Sequence, residues 1–186
     1  MKKVWLMAAT ACLFLTTTHA QKFMTRDARI SFLSEAPLEK IEAINKSGSA
    51  VLDAASGRME WKVLIKNFLF EKKLMQEHFN ENYMESDKYP NATFKGELVN
   101  AQEVNFGKDG TYNVRAKGKM TIHGVERDIE VPGKITVSGG KLEVMSNFKV
   151  ACADYNISIP SVVRDNIAKE IAVRVEATLT PLTRPQ

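Results

Sequence analysis

The chain has almost no cysteine: only Cys12 and Cys152 among 186 residues. Cys12 lies in a leader-like stretch, so the rest of the chain can form no internal disulfide and must be held by a packed core. Charge of one sign is also scarce. Of the 26 basic residues two, Lys2 and Lys3, sit in the leader, which leaves 24 against 22 acidic ones. That excess is too small to suggest a nucleic-acid partner. No apolar run after the leader is long enough to cross a bilayer, so no transmembrane span is expected in the mature chain. Histidine is nearly missing. His78 and His123 are the only two beyond residue 20, and neither falls in an HExxH or other zinc spacing. There is no G-x-S-x-G, phosphate-binding loop or dinucleotide fingerprint. The expectation is a protein with no catalytic residues, no metal and no cofactor.

What is present begins with the leader. Met1-Lys2-Lys3 is basic, Val4 to Leu15 is apolar, and Thr18-His19-Ala20 supplies small residues for cleavage. Residues 1–20 read as a secretory signal peptide, which makes the mature protein extracytoplasmic, either periplasmic or secreted. A lipoprotein leader using Cys12 fits less well, because Ala9 stands where leucine is expected. Residues 21–186 then form a single domain, long enough for a real core.

Most of that domain alternates apolar and polar residues with a period of two, the mark of strands with one buried face. Ala28, Ile30 and Phe32 start the pattern. Pro37 to Lys46, with Leu38, Ile41 and Ile44 on one side, reads as a short helical connector. A turn at Ser56-Gly57 sets Ala54 opposite Met59, Leu52 opposite Trp61 and Ala50 opposite Val63. Phe94, Gly96 and Leu98 share a face, as do Tyr112, Val114, Ala116, Gly118, Met120 and Ile122. Ile129, Val131, Gly133, Ile135 and Val137 follow. A turn at Gly124-Val125 places Lys119 opposite Glu130. One at Gly139-Gly140 pairs Val137 with Leu142, Ile135 with Val144, Val131 with Phe148 and Glu130 with Lys149. Pro132 cannot donate to a ladder, so a bulge or local opening is expected there. Ser161 to Lys169 reads as a short second helix or irregular link, and Ile171 to Leu179 as the last strand. About eight consecutive strands with one apolar face and no second apolar layer predict an all-β fold, an antiparallel up-and-down barrel.

One stretch departs from this period. In Lys66 to Gly96, the residues Leu74, Met75, His78, Phe79, Asn82 and Tyr83 fall at helical spacings, so a single amphipathic helix is expected to cap the barrel mouth. Phe68 and Phe70 lead into it and Tyr89-Pro90 closes it. Small inward residues, among them Ala50, Gly96, Ala116, Gly118 and Gly133, either permit sharp strand coiling or leave a hollow. In the second case the lumen is a dry, uncharged tunnel lined by Trp61, Phe94, Ala116, Gly118, Met120, Gly133 and Phe148. Its lid is then formed by Phe68, Phe70, Leu74, Met75, His78, Phe79, Tyr83 and Met84, with Met75, Met84 and Phe79 able to repack around different chains. Such a lumen selects an apolar chain and rejects a sugar or nucleotide.

The runs LMQEHFNENYMESDKYPNATFKG and GTYNVRAKGKMTIHGVERDIEVP resemble the YceI-like family of secreted, lipocalin-like polyisoprenoid-binding proteins. The likeness extends from about Ile30 to Leu179. It implies an extended barrel holding a polyprenyl lipid or isoprenoid quinone as ligand, and no enzyme activity. A monomer and a dimer both remain open. Two other functions compete with this carrier: a filled-core structural or stress-response barrel that acts through protein contacts, and an enzyme using Cys152 or His123. His123 reads as fixing its turn, His78 as a core histidine, and Glu77 and Glu81 as a solvated face. Arg58, Arg164 and Lys169 are candidates to neutralise a pyrophosphate head group.

Overall fold

The computed structural model describes residues 21–182; the signal-peptide reading of residues 1–20 therefore lies outside the described residues. The strands are β1 (Lys22–Glu35), β2 (Lys40–Asp53), β3 (Arg58–Leu64), β4 (Leu69–Phe70), β5 (Asn91–Leu98), β6 (Gly110–Ile122), β7 (Val125–Ser138), β8 (Lys141–Ala151) and β9 (Glu170–Pro181). Eight of them close into an antiparallel barrel in the order β1-β9-β8-β7-β6-β5-β3-β2, with β2 returning to β1. β4 is a two-residue flap on β2. The helix α1 (Lys73–His78) continues as a wider turn over Phe79–Tyr83, closed by the bond from Met84 N–H to the Phe79 carbonyl at 2.9 Å. The expected second helix is a single tight turn at Ser161–Val163.

Up-and-down order places the connections at two ends. The helix, the β1–β2 loop, the β6–β7 hairpin and the link from β8 to β9 share one end, the mouth. The other end is a packed floor, where Phe23, Leu52, Leu98, Val104, Val114, Ile135, Val137, Leu142 and Leu179 form one buried cluster. Phe106, from the β5–β6 loop, folds beneath it with its ring 6.3 Å from that of Phe23.

Pro37 to Lys46 is not a helical connector. Lys40 onward belongs to β2, whose buried positions are Ala43 and Asn45, then Gly48, Ala50 and Leu52. The inward set slips by one residue at Lys46-Ser47, facing a bulge in β1 between Thr25 and Ile30. Asn45 is fully buried. Its amide donates to the Leu64 carbonyl at 2.8 Å and its oxygen accepts from Ser47, which bridges the place where β3 parts from β2.

Two hairpin registers are offset by two residues from those expected. In β2–β3, Leu52 faces Met59 and Ala50 faces Trp61. The cause is a longer turn: the Asp53 carboxylate accepts from Ala55 N–H at 3.0 Å and Ser56 N–H at 3.2 Å, wrapping the chain around it. In β6–β7 the turn is His123-Gly124, both at positive φ (50° and 73°), so Lys119 faces Asp128 and Lys117 faces Glu130. The β7–β8 register holds at Val137↔Leu142 and Ile135↔Val144, then stops at Gly133↔Ser146. The pairs Val131 with Phe148 and Glu130 with Lys149 are not formed. The opening expected at Pro132 is there.

Gly96 and Gly118 pair directly across β5 and β6. A Cβ on Gly118 would strike the Lys95 carbonyl and the Gly96 Cα, so this pair serves close strand approach rather than internal space. Gly118→Ala should therefore cost about 1–3 kcal/mol by overpacking. Urea unfolding followed by circular dichroism checks this; an unchanged midpoint would contradict it.

Candidate functional site

Above the floor the barrel encloses a cavity of about 500 Å³. Its walls follow from strand alternation. Trp61, Val63, Phe94, Ala116, Met120, Ile122, Val131, Gly133, Val144 and Phe148 point inward from β3, β5, β6, β7 and β8, and Val173 and Val175 from β9. Leu52, Leu98, Val114, Ile135 and Leu179 belong both to the cavity lining and to the floor cluster. The roof carries Phe68, Phe70, Met75, His78, Phe79, Tyr83 and Met84. Among the described residues, the lining includes no lysine or arginine, and Glu39 is its one acidic residue.

Two residues expected at the site stand elsewhere. Gly118 is consumed by the strand contact with Gly96. Leu74 is 62% exposed and outside the lining. The helix presents Met75, Phe79 and Tyr83 to the cavity, a stripe at spacing four, and Leu74 falls off that line. His78 is exposed at the rim of the mouth and is not a core histidine. Arg164 and Lys169 lie on the mouth link but Arg58 begins β3 at the floor end, so the three basic residues do not converge. Sequence reading missed the lining from the β8–β9 link (Ile157, Ile159, Val163, Asn166 and Ile167) because that segment has no periodicity to mark a buried side.

The roof is held by aromatic packing. Phe79 stacks on Phe32 at 5.5 Å and meets Phe68 at 5.8 Å and Phe70 at 5.0 Å. Phe32 also touches Phe68 at 5.4 Å and Phe70 at 5.8 Å. Each such pair adds roughly 0.5–1.5 kcal/mol beyond burial. At the rim, Glu39 joins three segments, accepting from Lys72 Nζ and from Asn166 Nδ2, each at 3.4 Å. On the far side His123 acts as a clasp. Its Nδ1 lies 3.1 Å from the Tyr155 carbonyl and its Nε2 2.9 Å from Glu85 Oε2, while Tyr89 packs edge-on at 4.6 Å. It thus ties the β6–β7 hairpin to the loop after the helix and to the start of the β8–β9 link.

A family model for the YceI-like domain matches residues 12–179. Among solved structures, a polyisoprenoid binding domain from Saccharophagus degradans, implicated in plant cell wall breakdown, superposes with a TM-score of 0.75 at 13% identity. That match covers 88% of this chain and 99% of the other. BcnA of Burkholderia cenocepacia matches with a TM-score of 0.67 at 18% identity over 82% of this chain and 96% of its own. A Campylobacter jejuni YCEI protein that crystallizes with large solvent channels matches at 0.57 and 17%, over 99% and 100%. At these identities the likeness establishes the fold alone. No curated protein matches the sequence.

Cys152 lies in the cavity wall near the mouth, buried, with its thiol 3.9 Å from the Ala168 carbonyl. Burial raises its pKa above the ordinary thiol value, which keeps it protonated and disfavours the nucleophilic thiolate. Two outcomes follow. The native thiol should react with Ellman's reagent far more slowly than the same protein in urea, with the lag shrinking as pH rises; equal rates at pH 8 would contradict the burial. Phe79→Ala, at a half-buried position, should loosen the roof by about 1.5–3 kcal/mol, read as faster hydrogen exchange in residues 73–84, while β8 and β9 keep their protection.

Proposed function

Because the chain belongs to the YceI-like family, we propose that its cavity binds the apolar chain of an isoprenoid-type amphiphile, and that the protein carries or stores this lipid outside the cytoplasm. The observation that bears the reading is the cavity itself. An unfilled apolar void costs about 24 cal/mol per Å³. For about 500 Å³ that comes to roughly 12 kcal/mol, as large as the whole stability of a typical domain. The space opens to solvent, so this is an upper bound, yet even a fraction of it favours an occupied interior over an empty one. A volume in the ~300–1,000 Å³ range is that of a small-molecule site. A filled-core structural barrel would not leave it.

The chemistry of the lining narrows the ligand. Apolar walls accept a hydrocarbon chain at roughly 0.8 kcal/mol per buried methylene. The polar side chains that line the mouth include Ser34, Glu39, His78, Tyr83 and Asn166, and the Glu39 carboxylate is held by Lys72 Nζ at 3.4 Å. A neutral hydrogen-bonding head such as a quinone fits this set, whereas a diphosphate would have to compete with Glu39 for Lys72. The leader-like residues 1–20 support the extracytoplasmic setting. The relationship to a polyisoprenoid binding domain supports the ligand class, and this reading assigns no catalytic residue.

Native mass spectrometry of protein purified from its own host should show a lipid-bearing species, with an isoprenoid recovered on organic extraction. A quinone added at a hundredfold Kd should stabilise the apo protein by about 2.7 kcal/mol, roughly 5–10 °C in Tm for a chain of this size. Protein that is only apo in mass, yields no lipid and shows no shift with quinones or polyprenols would refute the carrier.

A further inference from the structure

The β7–β8 ladder runs from Ser138↔Lys141 to Gly133↔Ser146 and ends, although both strands continue toward the mouth. β7 stays paired with β6 as far as Ile122↔Val125, and β8 with β9 as far as Ala151↔Glu170. Between them, β7 and β8 part. The cause can be traced to Pro132. Opposite Pro132 in β6 is Arg115, whose N–H donates to Asn100 Oδ1 at 3.0 Å and whose carbonyl accepts from Val99 N–H at 2.8 Å. Both bonds lie on the β5 side. Antiparallel bonds alternate from one neighbour to the other, so the backbone of Pro132 faces β8. The next rung after Gly133↔Ser146 is one in which Pro132 must donate, and it has no N–H. Its carbonyl takes the Ser146 hydroxyl instead, at 2.6 Å.

The charges agree with a parted seam. A continued ladder would set Glu130 against Lys149. Glu130 pairs instead with Arg115 on β6 at 3.0 Å, and Lys149 with Glu170 on β9 at 3.4 Å. At its mouth end the gap is bounded by the bond from Arg127 Nε to the Asp154 carbonyl at 2.9 Å. A second cavity fills this gap and shares Met120, Val131, Phe148 and Val150 with the main one.

We propose that the parted β7–β8 seam is a side port through which the ligand's apolar chain enters and leaves, while the helical roof stays shut. This rests on the carrier reading above. The roof can open only by separating the four packed rings of Phe32, Phe68, Phe70 and Phe79. The seam has no ladder bonds to break along its length; its outer rim is charged, and its inner edge of Met120, Val131, Phe148 and Val150 is also wall of the main cavity.

The test is a rate. Glu130→Cys with Lys149→Cys places thiols on the outer edges of the port, joined by a disulfide or, if they stand too far apart, by a short bis-maleimide. Mature protein loaded with decylubiquinone is mixed with empty phosphatidylcholine vesicles. Recovery of fluorescence from Trp61, the sole tryptophan of residues 21–186, reports release. Closing the bridge should slow release by roughly tenfold or more with the equilibrium affinity unchanged, and cleaving the disulfide should restore it. Pro132→Val, which returns the missing donor, should slow release in the same direction without any cross-link. Unchanged release in both bridged and Pro132→Val protein overturns the port, as it would if the free edges instead receive a strand from a partner protein. Absence of quinone binding in every form overturns the carrier reading itself.

Discussion

Eight strands closed edge to edge fix the circumference of this molecule, and with it an interior that must be filled by inward side chains or left hollow. Everything else follows from how that volume is divided. At the floor, Phe23, Ile135, Leu142 and Leu179 are at most 1% exposed and pack across the axis. Toward the mouth the inward positions carry Ala116, Gly133 and Ser146 among larger residues, and the walls no longer meet. The hollow is therefore closed at one end and needs cover at the other. The sequence supplies that cover as a helix inserted between β3 and β5, held by a ring cluster on one side and by the His123 clasp on the other.

The same economy explains the break between β7 and β8. The β7–β8 ladder forms six of the eleven pairs that the length of β8 allows and stops at Gly133↔Ser146, beside Pro132 in the cavity wall. A proline turned toward β8 removes one donor, and the charges of Glu130 and Lys149 then settle on strands that are already paired. Roof and seam thus divide two tasks. The roof covers the mouth with packed aromatic rings, and the seam interrupts the wall beside Pro132.

Much of this was legible in the residues, and the losses have physical causes. From Tyr112 to Val150 and from Ile171 to Leu179 the alternation is regular, so strands and facing read correctly, and the Gly139-Gly140 register holds at Val137↔Leu142 and Ile135↔Val144 but not beyond Gly133. β2 was concealed by its one-residue slip and by Asn45, a polar residue at a fully buried position. The two offset hairpins share another cause. A two-residue slip keeps the same faces together in both; in β6–β7 the outer face also alternates Lys117 and Lys119 against Asp128 and Glu130, so either register looks equally favourable in charge. Only the turn decides between them, through the Asp53 carboxylate in one case and a histidine at positive φ in the other. At the site, the roof aromatics were readable from spacing. Gly118 and Leu74 were not, because backbone approach and the exact line of a helical stripe depend on neighbours that the local sequence does not name.

The central claim is that the upper interior exists to hold an apolar chain. A high-resolution crystal structure of protein taken directly from its host, without added detergent, tests it most directly. The account predicts continuous tubular density running from the mouth, between Trp61, Phe94 and Phe148, down to Leu52 and Ile135. A lumen in which these side chains meet across the axis, or one holding only a chain of ordered waters, would contradict it.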